Sequence, residues 1–200
     1  MRLVVVGTSG SGKTTMARAL SRALGAPQIE LDGINWQPGW YDLATHEPQE
    51  FIRRVAVAAA GEAWVMDGNY IKAREAHWTR ATGFVWMDTP RRVVMRQVIW
   101  RSFSRAVTKR ELWPGSGNQE LFRKWLEKEH PIRWAWDTWA TNRARYSAMF
   151  STGVFEGRPA YRVSNARQAK RLVARLAAEQ ADAGLPIRPA AGILSIAPSD

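Results

Sequence analysis

The chain has 200 residues, 46% of them apolar, with 29 Lys and Arg against 18 Asp and Glu for a formal net charge of +11. A chain of this length buries about 70% of its unfolded surface and supports one domain with a full core, while no apolar run approaches the ~20 residues of a membrane span. The absence of cysteine excludes a disulfide framework, thiolate metal ligands and a thiol nucleophile, and a pI near 10.8 points to anionic partners: phosphates, nucleic acids or charged surfaces.

Arg2 to Val6 is continuously apolar after its first residue, the pattern of a buried parallel strand. It begins at once, leaving no space for a signal peptide, so a cytoplasmic protein is expected. A helix follows, with Met16, Leu20, Ala23 and Leu24 on one face and Gly25 and Pro27 as its stop. Further apolar runs at 28–31, 64–66, 84–87 and 160–163 are separated by helical segments. This alternation predicts an α/β fold with an about five-stranded parallel sheet, helices on both faces and three layers in all. Between the fourth and fifth strands a mostly helical insertion, residues 90 to 150, is punctuated by "LWPGSGN" at 112–118 and by Pro131. A last helix is expected from about Asn165 to Ala181, and residues 182–200 read as a loose tail beyond a single domain of residues 1–181. The three histidines, His46, His77 and His130, lie far apart in sequence and give no zinc signature. Most of the eleven tryptophans are expected in the core, although an indole also stacks on a base or ring.

The loop after the first strand reads Gly7-Thr8-Ser9-Gly10-Ser11-Gly12-Lys13-Thr14-Thr15. Gly7, four residues, then Gly12, Lys13 and Thr14 satisfy the P-loop pattern, and the expected strand before and helix after supply the context that pattern requires. The glycines let successive N–H groups turn inward as a nest for phosphate at the positive end of the helix. Lys13 adds a charge for the β and γ phosphates of ATP, and the Thr14 hydroxyl is a ligand for Mg²⁺.

Three expected strands end in an acid: Asp32 in "IELDG", Asp67 in "WVMDG" and Asp88 in "VWMDTP". Ligands of open α/β sheets sit beyond the carboxyl ends of the strands, so each acid is a candidate. Asp67 reads as a Walker B acid holding Mg²⁺ and Asp32 as the group that binds or deprotonates an acceptor hydroxyl, with an Asp-Gly turn as the alternative for both. Asp88 reads as a helix-start residue, with Thr89 as N-cap and Pro90 first in the helix.

Together, "GTSGSGKTT", "ELDGINWQPGW", "WVMDGNY" and the arginine-rich stretch after "VWMDTP" resemble the adenylate-kinase-like P-loop kinases, most closely the branch of topology-modulation proteins, over about residues 1 to 178. Where nucleoside monophosphate kinases follow D-G with an apolar residue, Pro and Arg, this chain has Asn69 and Tyr70. The resemblance implies a P-loop NTPase sandwich, an ATP-binding core using magnesium, a lid bearing arginines, and a base-binding loop at Ser164, Asn165 and Ala166.

On a helix beginning near Pro90, Val94, Val98, Arg101 and Arg105 fall within about 60° of one another, so an apolar stripe becomes cationic. Either that face turns toward ATP phosphates or the helix ends first and leaves solvated charges. On the return helix Trp136, Trp139, Arg143, Tyr146 and Phe150 share a face, where Arg143 either stacks on the rings or reaches the transferring phosphate. Arg53, Arg54, Trp36, Trp40 and Tyr70 would line an acceptor pocket, and Gly115 and Gly117 would let the insertion swing. The expected function is phosphoryl transfer from ATP to a nucleotide or small hydroxyl acceptor. The alternative is a basic nucleic-acid-associated protein with regulatory ATP binding, suited to the arginines and tryptophans between Trp100 and Arg145.

Overall fold

In the computed structural model, which describes residues 1–120, 130–152, 155 and 157–183, five strands form a parallel sheet: β1 (Arg2–Val6), β2 (Gln28–Glu30), β5 (Trp64–Asp67), β6 (Gly83–Met87) and β7 (Ala160–Val163). Their order is β2-β5-β1-β6-β7. All five coincide with the strands expected from the sequence to within a residue. The 182–200 tail lies outside the described residues from position 184 onward. A two-stranded antiparallel ribbon, β3 (Trp36–Gln37) with β4 (Tyr41–Asp42), was not expected, because two-residue strands leave no periodic signal.

Successive strand residues point to opposite faces, and β1 shows the division. Val4 and Val6 join Ile29, Phe51, Val55, Trp64, Met66, Phe84, Trp86 and Tyr146 in one core. Leu3 and Val5 join Met16, Leu20, Leu24, Val65, Val85, Leu172 and Leu176 in the other. The first core is covered by α4 (Pro48–Ala58), α5 (Arg74–Trp78) and the end of α7 (Pro131–Ser151); the second by α1 (Lys13–Leu24) and α8 (Ala166–Asp182). Short helices α2 (Leu31–Asn35) and α3 (Leu43–His46) flank the ribbon. The insertion consists of α6 (Arg91–Thr108), a segment from 109 to 120, and α7, which packs against α6.

The α6 start departs from the sequence reading. Pro90 is the N-cap rather than the first helical residue, and Thr89 spends its hydroxyl on the Ser11 carbonyl at 2.8 Å instead of capping. Asp88 is no capping residue either, being held by two arginines described below. Tertiary partners have displaced the local cap chemistry.

The β5 register sets the positions that matter. Asp67 lies opposite Val5 and Glu30, and the chain then turns at Gly68, whose φ is 145°. A Cβ there would stand 2.7 Å from Leu31 Cβ, so only glycine fits. Gly68→Ala is expected to cost about 1–3 kcal/mol in urea unfolding through strain and overpacking. Gly61→Ala, exposed and with its nearest neighbour 3.7 Å away, should stay within about 0.5 kcal/mol of wild type.

Candidate active site

The P-loop leaves the end of β1 as the sequence indicates, and α1 starts at Lys13 with Gly12 as N-cap. Gly10 has φ 78°, and a Cβ on it would lie 3.0 Å from Val98 Cβ, so α6 packs directly against the loop. Gly7 is gripped by Asn69, whose Nδ2 donates to the Gly7 carbonyl at 2.6 Å while its Oδ1 accepts from the Gly7 N–H at 3.3 Å. Thr8 and Ser11 are buried, and among the described residues their hydroxyl oxygens have no hydrogen-bond partner. Such orphaned groups are costly unless a ligand completes them, and a phosphate group fits them.

Lys13 Nζ donates to the Thr8 carbonyl at 3.1 Å. Burial lowers its pKa, opposed by the charges of Asp32 and Asp67. Asp67 ends β5, is 2% exposed, and accepts from Gln28 Nε2 at 3.3 Å. Burial, reinforced by Glu30, pushes its carboxyl up to about 8. Glu30, on edge strand β2, is likewise raised by burial and then by Asp32. Thr14 and Thr15 follow Lys13 in the first turn of α1. Among the described residues no cluster of three or more His, Asp or Glu is arranged to hold a metal ion. Thr14 and Asp67 offer the hard oxygen donors that Mg²⁺ takes, one or two from the protein together with phosphate oxygens and water.

Asp32 belongs to the first turn of α2, not to a strand end or an Asp-Gly turn, and its Oδ1 accepts from Tyr70 Oη at 2.8 Å. Beside it opens a cleft of about 1170 Å³ whose lining includes Glu30, Trp36, Arg54, Arg101, Arg105 and Trp113. Arg54 donates to Glu50 and Gln37 while facing the cleft, whereas Arg53 is outside it, fastened to Glu50 and largely exposed. Trp40 stands edge-on to both Trp36 and Trp113.

The helix carrying Arg101 and Arg105 runs to Thr108, with Arg105 in its last turn, so neither is a charge beyond a helix end. Arg101 reaches Ser9 of the P-loop, Nη2 to Oγ at 3.4 Å, and its buried Nε has no hydrogen-bond partner among the described residues. Burial, then the charge of Arg105, lowers its pKa. Arg105 pairs with the buried Glu120 at 3.7 Å, and Glu120 in turn meets His130 at 3.2 Å. The 109–120 segment packs down over the cleft. Trp113 lies against Gly33 and donates to Glu30 at 3.3 Å, while Asn118 accepts from the Trp40 N–H and donates to the Gln37 carbonyl, both at 2.9 Å.

Arg143 makes the ring contact of the stacking alternative, together with an ion pair. Its Nε donates to Asp88 at 2.9 Å and its guanidinium lies 5.6 Å from the Trp139 ring. Arg162 holds the other oxygen of Asp88, also at 2.9 Å. Both oxygens of Asp88 are thereby engaged, and Arg143, about half-exposed, stays tethered to Asp88 while bordering a small pocket with Thr8 of the P-loop. Ser164, Asn165 and Ala166 form the start of α8. Asn165 caps Gln168 N–H at 3.0 Å while Gln168 Oε1 accepts from the Ser164 N–H at 2.7 Å, a reciprocal cap. Sequence reasoning missed Glu30, Asn69, Trp113 and Glu120. Glu30 had a usable signal, since it stands at a strand end two residues from Asp32.

No family model matches the chain. It is 35% identical over 100 residues to the shikimate kinase of Symbiobacterium thermophilum, an alignment covering 44% of this chain and 58% of that protein. The chain thus matches under two thirds of this relative's length. Among solved structures, shikimate kinase from Acinetobacter baumannii in complex with shikimate is similar with a TM-score of 0.52 at 18% identity, covering 92% of this chain and 93% of that one. Shikimate kinase from Bacteroides thetaiotaomicron gives 0.50 at 17% identity over 92% and 99%. The chain therefore has the fold of a shikimate-kinase-like P-loop kinase.

The buried acids generate a pH dependence. A carboxyl whose folded pKa lies above its unfolded value of about 3.9 binds more protons in the native state, so stability falls as pH rises between the two values. For Asp67 that window runs from near 4 to about 8, and Glu30 contributes with the same sign. In urea titrations without nucleotide or divalent metal, stability should decline from pH 5 to 8, and Asp67→Asn should flatten the decline.

Proposed function

We propose that the protein is an ATP-dependent kinase that transfers the γ-phosphoryl group of ATP to a hydroxyl of a small anionic acceptor in the cleft beneath Trp113. The observation that carries this reading is the position of Arg101, which touches the P-loop at Ser9 on one side and lines the cleft on the other, with its buried Nε unpartnered among the described residues. A guanidinium so placed can meet a phosphoryl group moving from one compartment to the other. The cleft also holds Arg18, Arg54, Arg105 and Arg110 against Glu30 and Glu111, a cationic excess that favours an acceptor bearing an acid group.

In this mechanism Gly7 to Thr15 cradle the phosphates and Lys13 meets the β and γ groups. Thr14 and Asp67 would hold Mg²⁺, which neutralises charge on the phosphate oxygens. Asp32, oriented by Tyr70, receives the acceptor's hydroxyl proton as the new oxygen–phosphorus bond forms and the bond to the ADP oxygen breaks. Arg101, assisted by Arg105, stabilises the charge on the equatorial oxygens, and α6 is the lid element that presents them. The loop of Ser164, Asn165 and Ala166 borders the adenine. Within the P-loop kinases, "LDGINWQPGW" and "DGNY" support kinship with the adenylate-kinase-like group and its topology-modulation branch: Tyr70 of the second motif donates to Asp32 of the first, and Trp36 of the first lines the cleft with Trp40 edge-on to it. A nucleotide acceptor stays within that reading.

A nucleic-acid-binding reading has one observation in its favour: Trp100 is 69% exposed and stacks with the exposed Phe103 at 6.2 Å, beside the arginines of α6. Filter binding of DNA and RNA across salt concentrations tests it, and no retention at low salt removes it.

For the kinase, labelled ATP is incubated with Mg²⁺ and a panel of shikimate, other hydroxy acids, nucleosides and nucleoside monophosphates, and product is separated from free phosphate. At least one acceptor should become labelled; labelled inorganic phosphate alone would sink the proposal. Saturating MgATP should raise the melting temperature, since binding at 100 times Kd adds about 2.7 kcal/mol, and Lys13→Ala should shrink that rise. Arg101→Ala should lower turnover on the order of a hundredfold with little loss of nucleotide affinity.

A further inference from the structure

Helix α7 reaches the P-loop twice, through two separate intermediaries. Tyr146, 1% exposed, donates from its hydroxyl to Asn69 Oδ1 at 2.9 Å, and Asn69 in turn clasps both backbone groups of Gly7. Seven residues earlier on the same face, Trp139 donates from Nε1 to the Thr89 carbonyl at 3.1 Å, and the Thr89 hydroxyl donates to the Ser11 carbonyl at 2.8 Å. Gly7 opens the P-loop and Ser11 stands next to Gly12, the N-cap of α1, so the loop is held on both sides of Thr8, Ser9 and Gly10.

The chemistry of Asn69 makes the first bridge specific. Its amide presents one acceptor and two donors, and the observed orientation matches the Gly7 carbonyl with Nδ2 and the Gly7 N–H with Oδ1. Rotating the amide would set donor against donor and acceptor against acceptor. Burial raises the Tyr146 pKa, so its hydroxyl keeps the proton that it donates. Between the two bridges, Arg143 fastens the helix to Asp88.

We infer that α7 acts as a fixed strut that holds the P-loop in its phosphate-binding shape, with Asn69 and Thr89 as positioning residues. The inference rests on the proposed nucleotide site. A glycine-rich loop free to reorganise gives up conformational entropy when it closes on phosphate, and restraining both ends beforehand reduces that cost. Linkage requires the reverse effect as well: nucleotide on the loop must stabilise α7. The return arm of the insertion is thereby assigned to preorganisation of the loop, and phosphoryl contact is left to α6.

The test uses the full chain with MgADP, which needs no acceptor. Tyr146→Phe and Trp139→Phe each remove one N–H or O–H donor and keep an aromatic ring, while Trp136→Phe, on the same helix but 53% exposed, is the control. Calorimetric titration should show each of the first two variants binding roughly three- to tenfold more weakly, the size of one lost hydrogen bond. The double variant should multiply the two losses, and the control should match wild type. In the wild-type protein, MgADP should slow amide hydrogen exchange across 131–151. Wild-type affinity in the double variant, or exchange in α7 indifferent to MgADP, overturns the strut even where MgADP binding upholds the nucleotide site. A wild-type chain that does not bind MgADP at millimolar concentration removes the proposed function itself, and the strut with it.

Discussion

Parallel pairing of β1 with β5 on one side and β6 on the other is the constraint from which the rest of the site follows. The register sets Val5 opposite Asp67 and Val6 opposite Trp86, so three chains emerge from the sheet at one level. The P-loop, the Asp67–Asn69 turn and the Asp88–Thr89 corner therefore leave side by side. Each can then hold the others: Asn69 takes Gly7 and Thr89 takes Ser11. A shift of one residue in either ladder would send every strand side chain to the opposite face and separate these partners at once.

Burial does most of the electrostatic work at this edge. Desolvation is the leading cause of the shifts at Lys13, Glu30, Asp67 and Arg101. Their mutual charges then act in opposing directions, with the acids supporting the cations and one another's protonated forms. Such an arrangement suits a site that receives a polyanion and its counter-cation, because both enter where water no longer screens them. Glu30 and Asp67 come from the sheet ends and Arg101 from the insertion, so this group of charges is assembled from separate elements.

What the sequence revealed was whatever is encoded locally. The five strands follow from short apolar runs, the P-loop from eight consecutive positions, and the cap of α8 from Asn165. Arg101 and Arg105 follow from helical spacing alone. The hidden part is encoded across distance: Asn69 meets Gly7 from 62 positions away, Trp113 meets Glu30 from 83, and Arg143 meets Asp88 from 55. Local chemistry could mislead at such points. Thr89-Pro90 has the composition of a helix start, yet Thr89 is engaged by Ser11 and the helix begins later. The Gly115 and Gly117 positions, read as a hinge, occur in a segment that Asn118 pins to the ribbon.

The edges of the sheet carry a consequence of a different kind. β2 has three residues and β7 four, and both lie at the margin where an open row of backbone groups could recruit a strand from another chain. Each margin is short and carries a charged side chain, Glu30 on one, held by Trp113, and Arg162 on the other, held by Asp88. Short edge strands bearing charge are poor templates for another strand, so the residues that shape the cleft and brace the Asp88 corner also make these margins less suited to edge-to-edge aggregation.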